Sequence, residues 1–208
     1  MTRNASWWVG AVLLGLVALP AVAQEGLVGG LLGLPLVEKE GGWARYESLS
    51  SEGPTRFVVK VGAPARKLDK PGRWMTLEVE VPSAGRVAIE LLVVGGLFGP
   101  RNILEMRLTL PGKKAREIPD PFKNDTGSRR EGKFLQKTTA TVAGKVLEAT
   151  EYSFFGGLTA EWSAAVPGLG LVRMGGENPF HLVDFGVGGD PWKERTTPAM
   201  FPAPPPKK

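Results

Sequence analysis

The residues able to do chemistry are few. The chain of 208 residues has one histidine, His181, and no cysteine. A zinc site gathers three or four N, S or O ligands, so a lone His without Cys does not build the usual one. His181 sits between Phe180 and Leu182 in a stretch that reads as a strand. Asp184 has the opposite parity, which puts it on the other side of a regular strand. No Gly-x-Ser-x-Gly elbow accompanies the pair, so Ser–His–Asp hydrolysis has no support. Residues 127–134 (GSRREGKF) follow a phosphate-binding loop for seven positions, then place Phe134 where magnesium binding needs Ser or Thr. No apolar strand leads in and a strand follows, so no helix N-terminus is there to hold a phosphate. Gly95-Gly96 and Gly186-Val187-Gly188-Gly189 do not complete a dinucleotide fingerprint.

Carboxylates are the next class. Glu78 and Glu80 share one strand face, as do Glu148 and Thr150. Sugar hydrolysis needs two carboxyls at a set separation across a cleft, whereas a solvated strand face accounts for these residues without chemistry. Asp120, Asp125, Asp184 and Asp190 lie in or near loops and lack calcium-loop spacing. No catalytic residue, cofactor or metal ligand is therefore assigned. The aromatics remain. Trp43, Tyr46, Trp74, Phe154, Trp162 and Phe180 fall on or beside strands. On the concave face of a curved sheet such residues line a cavity for a lipid or acyl group, and ordinary core packing is the competing reading. Trp74 shares parity with the polar Thr76, Glu78 and Glu80, which makes it the most suggestive of the six.

The address comes from the first residues. Arg3 is followed by the uncharged apolar stretch 7–19 (WWVGAVLLGLVAL), then Pro20 and the small-residue site Ala21-Val22-Ala23. That order is a secretory signal peptide over residues 1–23, with cleavage before Gln24. An uncleaved anchor is the alternative, but the stretch is shorter than the ~20 apolar residues of a span. Export removes cytosolic cofactors and nucleic acid from the expected partners. Without cysteine there is no lipid attachment at a lipobox and no disulfide framework. The expected location is the periplasm or the extracellular space, without lipidation and with outer-membrane association left open. The mature net charge is mild, 25 basic against 21 acidic residues once Arg3 is removed from the 26.

Glycine (28) and proline (18) are abundant, which suits many short strands joined by turns. Residues 24–42 form a Gly/Leu-rich lead-in that packs along the domain edge or plugs an opening. From Trp43 the period is two. Phe57, Val59 and Val61 alternate with Arg56, Val58 and Lys60; Met75, Leu77, Val79 and Val81 alternate with Thr76, Glu78 and Glu80. These are half-buried strands. Further strands are expected at 43–49, 86–94, 102–110, 113–118, 133–142, 145–155, 158–164, 169–174 and 180–185, with a hairpin at Ala143-Gly144. The fold class is mainly β: a curved antiparallel meander over 43–189, with few or short helices. Residues 190–208 hold six prolines and read as a Pro-rich disordered tail, either a spacer or a docking ligand for an envelope partner.

Residues 139–150 (TATVAGKVLEAT), 159–162 (TAEW), 166–173 (VPGLGLVR) and 182–186 (LVDFG) resemble secreted bacterial proteins whose plan is similar to the LolA/LolB-like half-barrel of periplasmic lipoprotein carriers. The resemblance implies an apolar cavity under a curved antiparallel sheet. This chain departs from the carriers in lacking clear cavity-covering helices. The first expectation is non-catalytic binding of an apolar or amphipathic ligand. The alternative is an envelope structural or interaction module using a sheet edge or the tail. A carboxylate hydrolase comes third.

Overall fold

The computed structural model describes residues 33–50, 53–81, 85–119, 132–154, 157–176 and 179–193. The signal peptide, residues 24–32 of the lead-in, residues 120–131 of the polar loop, and residues 194–208 lie outside them. Eleven strands form one antiparallel sheet: β1 (Gly42–Ser50), β2 (Gly53–Lys67), β3 (Lys70–Val81), β4 (Gly85–Val94), β5 (Ile103–Thr109), β6 (Arg116–Glu117), β7 (Lys133–Val142), β8 (Lys145–Ser153), β9 (Thr159–Trp162), β10 (Leu171–Met174) and β11 (Phe180–Val187). A 3-10 turn spans Pro100–Asn102. The order across the sheet is β6-β5-β4-β3-β2-β1-β11-β10-β9-β8-β7.

The meander is thus two meanders joined at their inner strands. The chain starts in the middle at β1 and works outward to the edge β6. It then resumes at the opposite edge, β7, and works back until β11 pairs with β1. The sheet does not close; β6 and β7 are its two edges. It does curl. β7 and β11, four positions apart in the order, approach within 8 Å between Cα atoms, whereas four strand spacings in a flat sheet would be about 19 Å.

Alternation selects the inner face. Ala44 and Tyr46 of β1, Phe57, Val59 and Val61 of β2, Met75 and Val79 of β3, and Leu91 and Val93 of β4 are buried in one cluster. Phe180, Leu182 and Phe185 continue it on β11. Each of the larger of these side chains contributes about 2 kcal/mol by leaving water. Among the described residues no second sheet or helix covers this face. The cover is the chain's own connection between β9 and β10, residues 163–170. Val166, Pro167 and Leu169 on it are buried, and it reaches β2 and β3 so closely that a Cβ on Gly168 would stand 2.9 Å from Val59 Cγ1. Leu34 joins the same core. The 33–37 segment holding it bridges two loops: Leu36 N–H donates to Gly96 O, and Val37 N–H to Gly168 O, both at 2.8 Å.

Several elements differ from the sequence expectation. The strand expected over 113–118 shrinks to Arg116–Glu117, because residues 111–117 are exposed and carry no apolar face to bury. The strand expected over 158–164 is Thr159–Trp162, since Ser163 already belongs to the loop that turns over the core. β2 and β3 run much further than expected, through a turn at Leu68 and Asp69, both at positive φ (51° and 58°).

Gly168 carries a concrete expectation. Its φ is +83° and its site has no room for a Cβ; Gly112 has φ +68° with nothing within 4 Å. Gly168→Ala should cost about 2–4 kcal/mol, from left-handed strain plus overpacking. Gly112→Ala should cost only the strain, about 1 kcal/mol. Urea denaturation of the two variants measures the difference, and equal losses would mean that the 163–170 loop does not press on β2.

Candidate functional site

The six aromatics do not line one cavity. Period-two alternation sends them to opposite faces. Tyr46 and Phe180 point into the core, where Tyr46 stacks on Phe57 at 4.9 Å between ring centres and Phe180 meets both rings edge-on at 5.5 and 5.3 Å. The Tyr46 hydroxyl donates to Leu171 O at 3.1 Å, and burial pushes its pKa far above the ordinary phenol value, so it stays neutral. Phe154 is buried in the same core, packed so closely on Gly132 that a Cβ there would stand 2.6 Å from the ring. Trp162 is half-buried at the margin of that core. Its indole N–H donates to Pro35 O at 3.1 Å, and its ring lies against Gly170.

Trp43 and Trp74 lie on the outer face. Trp43 is adjacent in sequence to the inward Ala44, and its indole N–H donates to Gly188 O at 2.8 Å. Trp74 is adjacent to the inward Met75, and the Arg107 guanidinium lies 4.3 Å above its ring. The six aromatics expected to line one pocket are therefore a core pair, Tyr46 and Phe180, two residues packed in and beside that core, Phe154 and Trp162, and two outer-face residues, Trp43 and Trp74.

The densest polar arrangement is on that outer face, and sequence reasoning missed it. Arg45 of β1 and Asp184 of β11 form a buried pair at 3.8 Å, their side chains 11% and 5% exposed. Asp184 Oδ1 also accepts the Phe185 N–H at 2.8 Å. Arg45 Nη1 donates to Pro191 O at 3.1 Å and to Lys193 O at 3.4 Å. Residues 190–193 are thereby strapped across the sheet. Trp192 Nε1 donates to Glu78 Oε2 at 2.6 Å, while Lys60 Nζ donates to Glu78 Oε1 at 2.5 Å. The Arg86 guanidinium lies 4.6 Å over the Trp192 ring, and Val58 is fully buried on this same face of β2. Residues 190–193, read from the sequence as the start of a disordered tail, are thus packed structure. Two signals pointed here: an Arg between the apolar Ala44 and Tyr46, and an isolated Trp in a Pro-rich stretch.

His181 and Asp184 share a face, contrary to their parity in a regular strand. β1 and β11 lose register between Arg45 and Tyr46, so Arg45 faces Asp184 while Glu47 faces His181. The bulge at Val183 puts His181 and Asp184 on the same face, because an extra residue resets the alternation. They still form no catalytic pair. Asp184 is bound to Arg45, and exposed His181 stands between Arg173 and Glu47. Glu78 has both oxygens engaged, which removes it from the carboxylate-pair reading. Among the described residues no group of three or more His, Asp or Glu is placed to hold a metal ion. No described helix is long and apolar enough to cross a membrane.

No protein-family model matches the chain, and no curated protein matches it. Among solved structures it is similar to a chain titled a "putative lipoprotein" from Parabacteroides distasonis ATCC 8503, at 11% identity and a TM-score of 0.41. The likeness covers 74% of this chain and 99% of that one. None of these comparisons links the chain to the lipoprotein carriers, and what it has in common with their plan is the single antiparallel meander.

The buried pair gives one expected outcome. Asp184→Asn leaves Arg45 without its countercharge inside the strap, and should cost about 3 kcal/mol. Denaturant titration checks it, and a loss under about 1 kcal/mol, the range of exposed pairs, would show the pair to be solvated. Glu105 gives another. A hydrogen bond from Lys67 Nζ at 2.6 Å, with a further contribution from Arg107, holds its carboxyl below the ordinary Glu value against the opposing effect of burial. A depressed folded-state pKa means stability that is present above the unfolded value of about 4.3 and lost as pH falls through the folded value. Glu105→Gln should therefore flatten the acid limb of a stability-against-pH curve below about pH 4. Parallel limbs for wild type and variant would contradict it.

Proposed function

We propose that this chain is an exported, non-catalytic interaction module of the cell envelope, in which the sheet is a rigid base for the Pro-rich segment 194–208. The observation that carries the reading is the contrast between the two faces. The concave face, where the half-barrel plan would hold a ligand, is occupied by residues 163–170 and Leu34. On the opposite face the root of the Pro-rich segment is clamped by Arg45, Glu78 and Arg86.

The segment beyond the clamp carries Pro198, Pro202, Pro204, Pro205 and Pro206, with Met200 and Phe201 among them. Proline fixes φ and so lowers the entropy lost when an extended segment docks in an aromatic-lined groove. Clamping its root fixes where the segment leaves the domain and lowers the ordering cost further. The signal-peptide pattern of residues 1–23 supports a periplasmic or extracellular setting, and the lack of cysteine argues against lipidation.

The second reading keeps the apolar or acyl ligand in the half-barrel. The partly buried margin of the core, with Leu36, Ile118, Leu158 and Trp162 packed against it, favours it. Residues 163–170 would have to swing aside, and each buried CH₂ of an acyl chain would contribute about 0.8 kcal/mol.

A photocrosslinking residue at Phe201, combined with native mass spectrometry and organic extraction of the periplasmic protein, separates the two. The expected result is one crosslinked envelope protein that also binds a synthetic 194–208 peptide, and a domain that carries no lipid. A co-purifying lipid that is lost in Trp162→Ala, with no protein bound by the peptide, would put the ligand reading in first place.

A further inference from the structure

We infer that β7 is a docking edge for the β7 of a second copy of this chain. The sheet has two edges of very different character. β6 is two residues long, with Arg116 and Glu117 exposed. β7 is ten residues long and pairs only with β8 among the described residues. An edge strand presents a row of unpaired N–H and C=O groups, and proteins usually blunt it with prolines, bulges, inward charges or shortness. β7 has one bulge, near its start between Phe134 and Gln136. From Gln136 to Val142 it has no proline, no further bulge and a single charge, Lys137. Thr138, Thr139, Thr141 and Val142 are β-branched residues that suit a strand, and Lys137, Thr139 and Thr141 are exposed.

The hairpin fixes which backbone groups face outward. β7 and β8 are joined by a two-residue turn, Ala143 and Gly144, both at positive φ (48° and 75°), with Val142 opposite Lys145. A turn of this kind closes on a pair that exchanges both its hydrogen bonds, and such pairs alternate along the ladder. Val142, Ala140 and Thr138 therefore bond toward β8, while Thr141, Thr139 and Lys137 point their N–H and C=O groups away from it.

Those three residues set the register. An antiparallel partner must match outward residues with outward residues. Centring the two-fold on Thr139 pairs Thr139 with Thr139 and Lys137 with Thr141 of the other copy, giving about six backbone hydrogen bonds. No charge then faces a like charge: each Lys137 stands opposite a threonine. Thr–Thr is a favourable cross-strand pair. Because β6 is too short to serve as a complementary edge, pairing at β7 uses the same edge on both copies and closes as a two-fold dimer instead of extending into a fibre. Pairing at β7 does not depend on the Pro-rich segment.

The test is the concentration-dependent mass of the full chain by analytical ultracentrifugation, together with amide hydrogen exchange. The expected result is a dimer in which the Lys137, Thr139 and Thr141 amides become protected as the protein concentration rises. Thr139→Pro removes an N–H that β8 does not use, so the fold should survive while dimerisation weakens by about tenfold or more. Thr139→Lys sets two like charges opposite each other at the two-fold and should weaken it similarly. The inference is overturned by a monomer at about 100 μM, well above the micromolar range of specific pairs. It is also overturned by protection of the three amides at every concentration, which would mean that something other than a second copy covers the edge. A dimer unchanged by both substitutions would place the contact elsewhere.

Discussion

A single sheet has no second layer against which to bury its apolar face. Everything distinctive in this fold answers that constraint. Eleven strands in period-two alternation produce one wide hydrophobic surface, and curling brings its two wings toward each other without closing them. What remains open is covered by the chain itself: residues 163–170, with Val166 and Leu169 buried and Gly168 pressed against Val59, and Leu34 from the segment before β1. The close approach of that loop to β2 is what makes glycine necessary at position 168.

The outer face meets a related difficulty with different means. It is a polar face, yet Val58 and the Arg45–Asp184 pair are buried there. A charge pair in that setting is tolerated only when further hydrogen bonds satisfy it. The Asp184 carboxylate accepts the Phe185 N–H, while the Arg45 guanidinium donates to carbonyls of Pro191 and Lys193. The pair and the strap over it therefore require each other. Trp192 extends the arrangement across to Glu78 and Arg86, so the strap spans residues of β1, β3 and β4.

Much of the architecture was legible in the sequence. Alternation along residues 56–61 and 73–81 marked strands with the correct inward residues, and Ala143-Gly144 marked the β7–β8 hairpin. The failures have identifiable physical causes. The turn at Leu68 and Asp69 adopts positive φ without glycine, so the usual turn signal was missing. The bulge in β11 inverted the relation between His181 and Asp184, and an inserted residue leaves no mark in a one-dimensional pattern. The pairing of β1 with β11 joins residues more than 130 positions apart, such as Glu47 and His181, which local periodicity does not encode. The aromatic residues have the types of an apolar pocket, but the face each one takes is set by its neighbours along the strand. The covering role of the VPGLG stretch, visible only as a turn motif, depended on its reach across three strands.

The seam between β1 and β11 also bears on how such a chain matures. It unites the first strand with the last, so the sheet is incomplete until the final strand has emerged. Before then β1, with the aromatic ring of Tyr46 not yet roofed by Phe180, is an open edge on a half-formed sheet. Non-local pairing of this kind is slow to form, and exposed edges in partly folded chains invite aggregation. A polypeptide delivered N-terminus first thus spends its transit in a state whose hazard ends only when β11 docks, and the interval between first and last residue becomes a quantity on which its yield depends.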